Sequence, residues 1–362
     1  MNKEKRKNHR FFKFSLVIFL FSVAALIAAR LSNSAADFLN GTVAQVYRYL
    51  TAKISGLVSF SLFELLVILL PLIILLTIRS AMRANRVQGG TFRFFVRLFA
   101  VVMLFCSAYI LGLGIGYNTT PISERMELSE TEITKERLAD TLIYLRDEVN
   151  LYAESISAAE DGTSRPEYTS ELISDKICDS YDELFRERVI PYSFHSRVKP
   201  IYFSSIMSYL RLGGIYTFYT GEANVNSAYP IYDVSFTSAH ELAHQRGIMR
   251  EDEANFVAYL ALSRSDDVYL KYSGALNMYS YVASALYRTD RELYTEIASE
   301  LCPLASADLR ASSQITQKYG NTVFADISEF INDLFLKSNG TEGVISYGRV
   351  VRLAVAYIEN ME

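Results

Sequence analysis

The stretch "SAHELAHQRGIMREDEANF", residues 238–256, decides how this chain is to be read. On a helix, positions i and i+4 share a face, so His240 and His244 aim two imidazoles at one point. Glu241 stands one step round from His240, where it reaches a water at that point without being a ligand itself. Two His ligands and a carboxylate general base are the set that zinc-dependent peptide hydrolysis requires. Val234, Phe236, Leu242 and Ala243 supply the apolar residues of a buried helix, with Ser235 or Thr237 as its cap. Gly247 follows His244 by three residues, where a residue that tolerates positive φ lets the chain leave the helix and double back.

A tetrahedral catalytic zinc takes a third protein ligand and leaves its fourth position to water. Three acids follow the turn: Glu251, Asp252 and Glu253. Helix geometry favours Glu251, because Glu251 and Asn255 are i and i+4. Glu251 then reaches one Zn2+ per chain while Asn255 orients it or His240 from behind. Glu253 shares a face with Phe256, Val257 and Leu260, a face suited to packing, and Asp252 is the remaining alternative.

Five segments in order carry a resemblance over nearly the whole chain: "FYTGEANVN", "HELAHQRG", "EDEANFVAYLA", "NDLFLK" and "GVISYGRVV". Behind N-terminal apolar runs, they resemble a family of bacterial membrane proteins, domain of unknown function 3810. That resemblance implies a zinc-peptidase motif and names no substrate. "EDEAN" is also similar to the third-ligand helix of gluzincin-type metallopeptidases, in which the first Glu binds the metal; the gap from His244 to Glu251 is short for that class. Gly247 matches the glycine of the metzincin pattern, but Arg250 stands where a metzincin has its third His. In zincins a strand beside the active-site helix pairs with extended substrate, and "TGEANVN" at 220–226 is the candidate edge. Gly221, Glu222, Ala223 and Asn224 are its substrate-binding residues, against the plainer alternative of a structural hairpin.

The rest of the chain divides by charge. Residues 1–116 hold 14 Lys and Arg against three acids, a net +11, whereas the remaining residues hold 22 basic and 37 acidic side chains, a net −15. An acidic back half argues against nucleic acid as a partner. The front half holds three apolar runs at 12–29, 57–78 and 94–117, so the lipid bilayer is an expected partner. A cleaved signal peptide competes for the first run, since "AALIAARLS" offers small residues, but the run is longer than a usual signal core. Pro71 is tolerable in a membrane helix. Glu64 and Arg97 enter their spans from opposite sides and snorkel to the nearer interface. Arg79, Arg83, Arg86 and Arg93 between the second and third runs, with the basic N-terminus, put both in the cytoplasm by the positive-inside rule. Residues 118–362 then face outward.

These readings give a mainly α protein. A membrane anchor at 1–117 with three transmembrane helices precedes an extracytoplasmic domain at 118–362. That domain is zincin-like and predominantly helical α+β with a small sheet. Helices are expected through Leu138–Ile156, begun by a capping box of Ser129 and Glu132, and through Leu172–Leu184; residues 159–168 form a loop and 213–230 two short strands or a strand and a turn. Cys178 and Cys302 could pair in an oxidising space, although buried free thiols are the ordinary reading. For stabilising an oxyanion, His195, Tyr219, Tyr259 and Tyr272 are available by type only. The expected activity is a membrane-anchored zinc metallopeptidase acting on a peptide or protein of the cell envelope. The alternative is a non-catalytic metal-binding sensor or partner-binding protein, and retention of Glu241 speaks against it.

Overall fold

Uninterrupted apolar sequence makes helices that bury little within the protein, and the first third of the chain is built from them. The computed structural model describes residues 3–129, 132–166, 170–320, 322–339 and 348–361. Met1–Thr119 together with Thr217–Glu222 form one compact unit, and Thr120–Tyr216 with Ala223–Glu362 form a second.

The first unit comprises α1 (Lys3–Leu31), α2 (Asn33–Leu39), α3 (Gln45–Ser55), α4 (Leu62–Asn85) and α5 (Gly90–Tyr109). Three stretches are long and apolar enough to cross a membrane: Lys7–Leu31, Leu62–Asn85 and Gly90–Asn118. The second starts five residues later than its apolar run because Ser61 is extended and its hydroxyl accepts the Glu64 N–H. Two π-helical turns, Asn40–Ala44 and Ile110–Gly114, interrupt the helices. Such turns misalign backbone carbonyls. Arg48, fully buried, donates to the carbonyls of Asn40 (2.8 Å) and Leu111 (3.4 Å), one in each turn.

Residues 217–222 join this unit through specific contacts. Tyr47 donates its hydroxyl to the Phe218 carbonyl at 2.8 Å, and the Phe218 ring meets Phe105 and Tyr109 edge-on. Gly112 admits that ring, since a Cβ there would lie 2.6 Å from the Phe218 Cβ. Gly221 has φ +69° and sits so close to α3 that a Cβ would fall 2.3 Å from Thr51 Oγ1. The buried Glu222 carboxylate accepts the N–H groups of Leu62 and Phe63, each at 2.9 Å. With Ser61 it satisfies three of the four N–H groups that the start of α4 leaves without an intrahelical acceptor. A carboxylate also suits the positive end of the helix dipole.

The second unit comprises α6 (Ile122–Arg125), α7 (Lys135–Ala153), β1 (Ser157–Ala158), β2 (Ser164–Arg165), α8 (Ser170–Arg186), β3 (Val198–Pro200), α9 (Ser204–Tyr209), β4 (Gly214–Thr217), β5 (Glu222–Val225), α10 (Ile231–Gln245), α11 (Glu251–Ser263), α12 (Val268–Thr289), α13 (Arg291–Ala298), α14 (Pro303–Gly320), α15 (Val323–Ser338) and α16 (Arg349–Glu359). Its core joins α7, α8, α10, α11, α12 and α16. Leu138, Leu142, Leu145 and Val149 bury the inner face of α7, as their spacing implies. The helix is capped by Thr134, whose side chain accepts the Arg137 N–H, rather than by Ser129. Residues 159–163 close a tight turn between β1 and β2, which pair antiparallel; of the expected loop, 167–168 lie outside the described residues. All three cysteines are free.

The small sheet has the order β3-β5-β4, with β3 and β5 parallel and Ala223 opposite Val198. This moves the edge expected at 220–226. Ala223 and Asn224 lie in the central strand, flanked on both sides, and Gly221 and Glu222 go with the first unit. The outer strand beside the motif helix is β4. That helix, α10, also begins earlier than expected: Pro230 precedes its first turn, and Ser235 lies inside it, donating to the Ile231 carbonyl.

Candidate metal centre

The motif helix ends in a way that aims its own ligand. After Gln245 the chain passes through Arg246 to Gly247, at φ +95°. The Gly247 N–H donates to the His244 carbonyl (3.0 Å) and the Ile248 N–H to the Ala243 carbonyl (3.1 Å), a complete Schellman stop. The turn leaves the Ile248 carbonyl facing back, and His244 donates Nδ1–H to it at 2.7 Å. The buried Arg246 locks the same corner, its guanidinium over the rings of Tyr181 and Phe194 and bonded to the carbonyls of Leu242 and Phe194.

Past the turn, α11 brings back an acid. Glu251 lies with one carboxylate oxygen 3.1 Å from His240 Nε2 and the other 3.5 Å from His244 Nε2. One turn on, Asn255 accepts the His240 Nδ1 hydrogen at 2.9 Å. Both imidazoles therefore commit Nδ1 outward and turn Nε2 toward Glu251, the orientation metal-binding histidines are given by their outer partners. The ligand atoms of His240, His244 and Glu251 all lie within 4.8 Å of one another. A tetrahedral zinc with ligands at about 2.1 Å separates them by about 3.4 Å. The donor set and the two separations fit that ion.

The other two acids are engaged elsewhere. Glu253 pairs with Arg250 at 2.8 Å and accepts the Ile122 N–H at 2.9 Å. Asp252 is buried, with the charges of Arg250 and Arg349 holding back the rise that burial gives its pKa.

Glu241 is 4% exposed, and its Oε2 has no hydrogen-bond partner among the described residues. Burial pushes its pKa up to about 7, against the pull of His240 and His244. Burial would also raise Glu251, but the two imidazoles outweigh it and hold that carboxyl well below the usual range. Strand β4 fixes Glu241 from the other side. A backbone hydrogen bond from Tyr216 reaches it, and a Cβ on Gly214 would fall 2.5 Å from its Oε1.

Of the groups considered for an oxyanion, Tyr259, Tyr272 and His195 are engaged away from this cluster. Tyr259 is buried toward Tyr144, Glu148 and Tyr357, and Tyr272 donates to Asp308 at 2.7 Å. Tyr219 belongs to the first unit. His195 sits at the surface beside Asp179 and Asp182, a second acidic group of metal-binding type. Two tyrosines the sequence did not single out are nearer: the Tyr216 ring is 6.4 Å from that of His244, and Tyr281 on α12 feels the charge of Glu251. Among 25 tyrosines no spacing marks either one. The "GG" at 213–214 was the available signal, because consecutive glycines before a short strand indicate close approach by another element.

A family model described as a protein of unknown function (DUF3810) matches residues 40–355. No curated protein and no solved structure matches significantly.

Proposed function

We propose, from the premise that this chain belongs to the DUF3810 family of proteins of unknown function, that it is a membrane-anchored zinc metallopeptidase with a zincin-like site. The observation that carries the reading is the convergence of His240, His244 and Glu251, with both Nδ1 atoms held outward and the unpaired Oε2 of Glu241 beside them. His240, His244 and Glu251 would hold the ion. Zinc bound there would supply Lewis-acid polarisation of the scissile carbonyl and acidify a water.

The chain's own residues do the rest. Glu241, buried beside the ligands with its Oε2 unpaired among the described residues, takes the proton as the water oxygen adds to the carbonyl carbon. It returns that proton to the amine nitrogen as the C–N bond breaks. Asn255 and the Ile248 carbonyl keep the imidazoles in the required tautomer. The extended segment against Glu241 is β4, and a peptide laid along it brings its carbonyl to the site.

The arginines at 79–93 support a cytoplasmic loop and, with three crossings, an outward-facing second unit, so the proposed substrate is a peptide or protein of the cell envelope. Metal content and cleavage test the reading together. The full chain in detergent is expected to hold one zinc, Glu251→Ala to lose it, and Glu241→Gln to keep it. New peptide termini should appear in envelope protein incubated with the wild type and not with Glu241→Gln. Zinc without Glu241-dependent cleavage would make the protein a metal-dependent sensor or partner-binding module. A folded chain that takes up no zinc would sink both.

A further inference from the structure

Helix α15 carries apolar side chains on two faces. One face is covered: Ala325 and Leu336 are fully buried. Roughly opposite, Phe324, Ile327, Phe330, Ile331 and Leu334 recur at helical spacing, each between 50% and 68% exposed. A stripe of Asp326, Glu329 and Asp333 separates the faces, with Asp333 paired to Lys337 and Glu329 to Arg211. The exposed surface continues onto α9. An open groove of about 400 Å³ lies between Phe324, Thr322, Ile206, Tyr209 and Leu210, and beyond it Tyr202 is 87% exposed. Contiguous apolar surface of this extent marks an interaction site.

We infer that this surface docks on the bilayer to which the chain is anchored, with the exposed face of α15 at the level of the acyl boundary. Two observations choose the bilayer as occupant. The same chain holds three helices long and apolar enough to cross a membrane, so an apolar partner is tethered to the second unit at constant, high effective concentration. The surface is also rimmed by tyrosines, Tyr202 and the edge-on pair Tyr209 and Tyr319, whose apolar rings and polar tips suit the headgroup region. The acidic stripe carries no basic cluster, so apolar insertion drives docking and anionic lipid adds nothing. Docking of this surface requires no metal.

The chain contains no tryptophan, which makes a single reporter unambiguous. The full chain carrying Phe330→Trp, reconstituted in phosphatidylcholine nanodiscs, should emit at a blue-shifted wavelength. Brominated phosphatidylcholine should quench it about threefold or more beyond an exposed control, Leu151→Trp. Leu334→Trp serves as a second reporter if Phe330→Trp does not fold. Quenching should be equal with and without added phosphatidylglycerol. Solvent-like emission, or quenching no greater than the control's, overturns the inference. So does blue-shifted emission without bromolipid quenching, the mark of a second copy or a protein partner, and so does a requirement for anionic lipid.

Discussion

Two short segments of this chain do comparable work by opposite means. Residues 240–255 assemble the His240, His244 and Glu251 cluster from their own neighbours: a helix, a Schellman stop and the first turn of the next helix carry every member. Residues 217–222 are structured by groups 106 to 160 residues away, because Glu222 finishes the start of α4 and Phe218 fills the space left by Gly112. The spacing of the first arrangement is local and follows from helix geometry, with β4 and the Arg246 corner supporting it from outside. The second depends on the whole chain having folded. The two should accordingly fail independently.

Glu222→Leu is the harshest test of that independence. It leaves the N–H groups of Leu62 and Phe63 without an acceptor, at a cost on the order of 2–5 kcal/mol. The apparent Tm of the full chain in detergent should fall accordingly, while zinc per folded chain stays at the wild-type level. Loss of zinc in the folded variant would break the comparison. From the other side, Asn255→Ala should weaken zinc binding by about 10–100-fold, because His240 loses the partner that sets its tautomer. The Tm measured without metal should change little. Equal zinc affinity in a competition titration with a chelator would remove Asn255 from the site.

The smallest expected effect belongs to Asp233, at the start of α10 and bonded to Ser312 at 2.8 Å. Burial pushes its pKa up to about 6. The folded chain then binds a proton that the unfolded chain has already released between roughly pH 4 and that value, so stability falls as pH rises through this window. Asp233→Asn should stabilise the chain at pH 7.5 by on the order of 1–2 kcal/mol, a gain that disappears by roughly pH 4. A gain that persists at low pH would assign the effect to packing instead.

The same contrast explains what could be read beforehand. His240, Glu241 and His244 are legible because one helix turn fixes their spacing. Gly247 is legible because only a residue at ease with positive φ closes a Schellman stop, and Glu251 with Asn255 because they share a face. Helix starts were less legible. Ser129 and Ser235 have the right chemistry for caps, yet Thr134 and the bend at Pro230 begin the helices, since several polar residues compete and packing selects among them. The strand order could not be read at all. "TGEANVN" has the composition of an edge, and only the arrival of β3 from residues 198–200 makes it the centre. Glu222 has no local signal either, because the helix end it satisfies begins at Leu62.

That distance has a consequence in time. A ribosome adding about 5–20 residues per second needs on the order of 10–30 s to travel from Leu62 to Glu222. During that interval the second long apolar helix, α4, has already been made, and its leading turn waits without its acceptor. Assembly of the first unit is therefore timed by the synthesis of the portion that follows it, and a chain stopped short of residue 222 should be recognised as unfinished at α4.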